Sequence, residues 1–303
     1  MKRLEQLIDM ARNLSGNTRY DDDSGVPQKV FVQYFNNAQD SLMKEVVNLK
    51  TKFLLKTSDI IPIVSGQETY SYPYDLYMQH IDTIQWTDKT FGSYYQTLYK
   101  NYTKEKVTNT IGFPFGYIMQ NDGYHLNPPM PNGFLYLTYI KSLPKLQKKS
   151  GAITAVSLAG QTLSGLTIST SGTYDSVEIN DDFYLCVVDK HGVQKARNIE
   201  YTSQAAGVFT LPSQALGTGQ TITVGDFIVV GKNSTNLPEW PDVCESYLIK
   251  HAVYDAKYSD SSSWSTEAKD DMRAFFQTLS GSFATLSDDV TDIAITNTDF
   301  IGF

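Results

Sequence analysis

The hydrophobic period of this chain changes twice, and those two changes limit its possible folds more than any single motif does. Over "PQKVFVQYFNNAQDSLMKEVVNL", Val30, Phe31, Tyr34, Phe35, Ala38, Leu42 and Val46 recur at three-to-four spacing and mark one face of a long helix. From Thr51 the spacing shortens to that of strands and stays short to about Asn236. Helical spacing then returns in "NLPEWPDVCESYLIKHAVYDAKYSD" and "SSSWSTEAKDDMRAFFQTLSGSF". Helices at both ends with strands between them predict an α+β chain.

Local signals place the boundaries. "MKRLEQLIDMARNL" is an amphipathic helix, because Glu5, Asp9 and Arg12 interrupt its apolar residues too often for an export signal. Gly16 is placed to end it and Pro27 to open the next, so the two helices should form a hairpin. In the β part, Gly66 supplies a turn before Thr69, Tyr70 and Tyr72, and "LYMQHIDTIQW" reads as a strand centred on Ile81 and Ile84. "YYQTLYKNYTKEKV" fits a short helix or an aromatic loop. "GYIMQ", "YHLNP" and "FLYLTYI" read as strands, the last two forming a hairpin around Pro128, Pro129 and Pro131.

At Lys148 the composition shifts toward Gly, Ser, Thr and Val. "AITAVSL", "TLSGLTIS", "SVEIND", "FYLCVVD", "VQKARNIEY", "GVFTL" and "DFIVVG" then follow at all-β spacing, with Asp189 to Gly192 as a hairpin turn. This predicts an all-β barrel or sandwich over residues 147–236, inserted into a helical domain made of 1–146 and 237–287. In the returning helices, Pro241 opens the first, with Val243, Tyr247, Leu248 and Ala252 on one face. Ser265 caps the second, whose stripe is Ala268, Met272, Phe275, Phe276, Leu279 and Phe283. The end, 288–303, alternates at Ile293 and Ile295 and finishes in Phe300, Ile301 and Phe303, which reads as an extended apolar tail suited to docking.

The order of these signals resembles the head-to-tail adaptor, or connector ring, proteins of tailed bacteriophages, particularly the short-tailed type. The resemblance rests on Gly66, Gln67, Tyr70 and Pro73, then Gly112, Pro114, Tyr117, Pro128, Pro131, Tyr139 and Pro241. It covers most of 1–146 and 237–285; the β block from Lys148 to Asn236 stands where the family has a short loop. The resemblance implies a structural virion protein at the head-to-tail junction, assembled in the host cytoplasm. It implies a ring, commonly of twelve copies, beneath the portal protein, which extends the DNA channel and receives the next tail ring or nozzle protein. Ile293, Ile295, Phe300, Ile301 and Phe303 are then the candidate contacts with portal or a neighbouring subunit. Trp240 is a further candidate, as an intersubunit contact or as an anchor joining domains.

Charge fits such a channel. A net charge of −8 does not build a surface that grips phosphate, but DNA can slide past it without sequence-specific binding. No run approaches the roughly 20 apolar residues of a membrane span.

Chemistry has little support. Glu178, Asp181 and Asp182 cluster at a turn, where solvated acids are ordinary. His80, His125, His191 and His251 lie on separate elements without metal-site spacing, and Cys186 and Cys244 read as reduced, buried thiols. No catalytic, cofactor or metal site is therefore expected. The alternative function is a carbohydrate-binding or adhesion module of a phage tail, with the β block as its working part; an enzyme acting through Asp181 and Asp182 stands third. Most of the 20 tyrosines and 15 phenylalanines fall at core spacing rather than on a sugar- or base-stacking surface.

Overall fold

In the computed structural model of the chain, the described residues are 2–16, 27–49, 52–58, 60–88, 95–100, 116–127, 129, 132–168, 183–205, 207–217, 219–258 and 261–296, and the side chains of 284–296 are outside the description. The chain packs as two units, one of residues 1–51 with 144–303 and the other of residues 52–143. The helices thus cluster with the 147–236 block, and the earlier strands stand as a unit of their own, a different division from the one expected.

The 52–143 unit is a sheet. Its strands are β1 (Leu55–Thr57), β2 (Ile61–Pro62), β3 (Thr69–Tyr70), β4 (Leu76–Thr87), β5 (Gln96–Lys100), β6 (Gly116–Met119), β7 (Tyr124–Asn127) and β8 (Phe134–Lys141). They run in the order β1-β8-β4-β5-β6-β7-β3, with β2 also beside β8. Alternation buries Ile84, Trp86, Leu135, Leu137 and Tyr139 on one face. Buried Asp75 accepts from the Tyr139 hydroxyl at 2.6 Å and pairs with Lys56 at 2.7 Å, which satisfies its charge.

Two expectations fail in this unit. Residues 96–100 form strand β5, neither helix nor loop, because Leu98 is buried opposite Ile84 on β4 and cross-strand packing overrides a weak local preference. Among the described residues the expected proline hairpin does not form either. β7 pairs with β6 and β3, whereas β8 pairs with β1, β2 and β4. The tight turn lies instead between β6 and β7, closed by the Gln120 amide on the Gly123 carbonyl.

The other unit holds α1 (Leu4–Ser15), α2 (Gln28–Asn48), α3 (Glu245–Tyr258) and α4 (Thr266–Thr296). Gly16, at φ 79°, ends α1 as expected. α1 and α2 each pack chiefly on α3, so the expected hairpin is really two thirds of a three-helix arrangement. Buried Arg12 of α1 lies 5.8 Å from the ring of Phe31 on α2. Ser265 accepts from the Ala268 amide and caps α4. Val243 does not join the apolar face of α3; it is exposed in a short 3-10 turn, Asp242–Cys244, that precedes the helix.

The extended tail is a further correction, since α4 continues to Thr296 and carries Ile293 and Ile295 within the helix. Beside the alternation at 293 and 295 runs a stronger period: Phe276, Leu279, Phe283, Leu286, Val290 and Ile293 repeat at alternating steps of three and four. Extending an existing helix costs far less than starting new structure, so that period wins. Phe300, Ile301 and Phe303 lie outside the described residues.

The β block is a barrel-like sheet of seven strands whose two end strands do not pair with each other among the described residues. Its strands are β10 (Gly151–Ala159), β11 (Thr162–Ile168), β12 (Tyr184–Val188), β13 (Gln194–Glu200), β14 (Ser203–Ala205), β15 (Val208–Ala215) and β16 (Phe227–Val230). β13 and β14 are nearly one bent strand. The first pairs with β12 and the second with β15, and the Gln214 side chain bonds both backbone groups of Glu200 at the bend. β10 likewise pairs with β16 at its start and with β11 along its length. Two strands that change partners curl the sheet around a core of Leu163, Leu166, Leu185, Val187, Tyr201 and Phe209. Residues 176–181, the expected strand "SVEIND", lie outside the described residues.

Candidate functional site

The barrel is mounted on the helices by hydrogen bonds that span the sequence. Short strands β9 (Lys145–Leu146) and β17 (Ser234–Thr235) lead into and out of it as a parallel pair. The Asn36 side chain of α2 bonds both the carbonyl and the amide of Leu146, at 2.9 and 2.8 Å. Asn236, fully buried, donates to Glu5 at 2.8 Å and to the Gln147 carbonyl at 3.0 Å, while its own carbonyl receives the first amide of α1. The β12–β13 turn adds a third attachment, for Arg3 and Lys149 both donate to the Lys190 carbonyl. Asp189 shapes that turn. Burial acts to raise its carboxyl pKa, but the amides of Val193 and His191 outweigh this and hold it below the usual range.

Among the described residues, a grouping with the look of chemistry lies among the helices. Trp264 donates to Asp255 Oδ1 at 3.0 Å; Asp255 Oδ2 stands 3.3 Å from His251 Nδ1, out of hydrogen-bonding line; and His251 Nε2 is 3.2 Å from Ser41 Oγ. Serine, histidine and aspartate in that order match a nucleophilic triad in type. The backbone argues otherwise. Ser41 sits inside α2, where amides are spent on the helix, so no free N–H pair is available beside it to hold an oxyanion. An open cavity of about 350 Å³ lies alongside, between α2, α3 and α4, and is rimmed by Glu45, Lys269 and Arg273. The cluster joins α2, α3 and the α3–α4 connection, a polar tie inside an apolar bundle.

The residues singled out in the sequence are scattered. Trp240 is buried in its own unit, edge-to-face with Phe283 at 6.1 Å, and so braces α4 from within. Glu178, Asp181 and Asp182 lie outside the described residues. Among those described, no group of histidine, cysteine and carboxylate side chains could hold a metal ion, and no helix is long and apolar enough to cross a membrane. Both cysteines are free and buried. Burial raises both thiol pKa values, that of Cys244 to about 12. Sequence reasoning missed Asn36, Glu5 and Asn236, whose partners across the chain lie 89 to 231 residues away and leave no local signal.

Comparison with known proteins agrees with a structural role. A family model described as SU10 adaptor protein matches residues 2–161, just over half of the chain. The match takes in α1, α2, the 52–143 unit and β10, and it stops at the tip of the first barrel hairpin. No curated protein matches the chain.

Proposed function

The chain belongs to the SU10 adaptor protein family, a family of phage structural proteins, and from that membership we propose that it is a head-to-tail adaptor of a short-tailed phage. Copies of the chain, commonly twelve in such assemblies, form a ring under the portal protein, extend the DNA channel and receive the next tail ring or nozzle protein. The end of α4 and the residues after it dock onto portal or a neighbouring subunit, and Trp240 supports that helix from inside. The family match carries this reading. The rigid mount of the barrel and the acidic net charge support it: a load-bearing junction needs units that keep their geometry, and a channel must let DNA move without holding its phosphates.

The test is direct. Purified protein mixed with portal rings from the same phage and imaged by electron microscopy should show an added ring coaxial with the portal. Intact portal with no added density overturns the proposal.

A further inference from the structure

The barrel carries a wall unlike the rest of the chain. Gly151–Ile168 and Tyr201–Gly225 contain no Asp, Glu, Lys, Arg or His, in a protein with 19% charged residues. Those two segments form β10, β11, β15 and β14, hydrogen-bonded in that order. The uncharged segments therefore fold into one continuous four-stranded surface.

Among the described residues, each end of this surface has a stretch of strand with no neighbour. β16 pairs with β10 at Gly151 and Ala152, and one more step of pairing links Ile153 to Gly225 and Asp226. The neighbouring chain then turns away, because Asp226 accepts from the Thr223 amide and hydroxyl and draws it into a tight turn. From Thr154 to Ala159, β10 has β11 on one side and, among the described residues, no strand on the other. Thr154, Ala155, Ser157, Leu158 and Ala159 are exposed, Leu158 by 41%. At the far end β14 pairs, among the described residues, with β15 alone, and Ser203 and Ala205 are exposed.

The β10 edge carries no charge and no proline, two of the devices that keep edges from pairing with another chain, although bulges interrupt its register with β11 and β14 is only three residues long. We infer that it is meant to pair, and that its partner is a second copy of this chain: the β10 edge of one copy joins the β14 edge of the next. Two observations select that partner. β10, β11, β15 and β14 are successively antiparallel, so β14 runs opposite to β10. Copies set side by side in one orientation, as in a ring, thus bring β14 of one antiparallel to β10 of the next and continue the ladder. Charge gives the second reason. Copies that each carry −8 repel one another, and a wall with no charge is where they approach at least cost.

The inference rests on the ring reading above, and the experiment separates the two. Full-length protein is assembled on portal rings and its copies are counted by mass photometry and imaging, for wild type, Ala155→Lys, Ala205→Lys and the pair Ala155→Lys with Ala205→Glu. Each single lysine should leave the melting temperature unchanged and weaken ring assembly on the order of tenfold or more, and the opposite-charge pair should recover it. A second readout uses Ala155→Cys with Ala205→Cys: since the native thiols are buried, oxidation of the assembled ring should give a ladder of linked copies. Normal assembly by both lysine variants, or no ladder from an assembled cysteine ring, overturns the edge pairing and leaves the ring standing. Wild-type protein that forms no ring on portal overturns both.

Discussion

At the residue scale, the fold depends on places where no side chain can fit. Gly133 has φ 118°, and a Cβ there would stand 2.3 Å from Trp86 Nε1 and 2.7 Å from the Thr87 carbonyl. Both backbone strain and a clash with a buried indole follow from any larger residue. Gly133→Ala should destabilise the 52–143 unit by about 2–4 kcal/mol, seen as a lower melting temperature. The thiols give a second residue-scale expectation. With Cys186 and Cys244 buried and their pKa values raised, neither should react with a thiol reagent at pH 8 until the protein is unfolded, when both should react. Rapid labelling of native protein would refute it.

At the scale of elements, α3 and α4 are tied by a cluster around Asp271. Lys250 lies 2.6 Å from its carboxylate and the Tyr254 hydroxyl donates to it at 2.5 Å; these partners, Lys250 first, hold the Asp271 pKa below its ordinary value. A carboxylate whose pKa is lower in the folded state adds stability above its unfolded pKa near 3.8 and loses it as pH falls through the folded value. The side chain is 38% exposed, so solvent screens the pair and the gain is small. Asp271→Asn should therefore lower the melting temperature slightly at pH 7 and not at all near pH 2. An equal effect at both pH values would show that the carboxylate's charge is not what ties the helices.

At the scale of the whole molecule, the proposed docking role and the packing of the core fall on different parts of α4. Its described side chains reach the core as far as Phe283, which meets Trp240, and the helix continues for 13 residues beyond that point. Removal of Val290 to Phe303 should leave circular dichroism and melting unchanged while abolishing binding to portal rings. Unchanged binding by the truncated protein would sink the docking role of Ile293, Ile295, Phe300, Ile301 and Phe303. Loss of folding would show that the last turns of α4 belong to the core.

Sequence alone determined the helices and most strands. Each is set by contacts a few residues apart, such as the stripe on α2, the Gly16 cap and the turn at Asp189. It also determined the buried thiols and the uncharged composition of the barrel wall. Tertiary structure decided which strands became neighbours. The supposed proline hairpin was lost to partners as distant as β1 and β4, and β5 became a strand because β4 needed a neighbour over Ile84. The mount of the barrel was equally hidden, because Asn36, Glu5 and Asn236 have no period and acquire meaning from partners across the chain. The same holds for the open edges, where a free strand edge is a fact about missing neighbours. Local periodicity fixes how a segment is patterned; the packing of the whole chain chooses what that pattern faces.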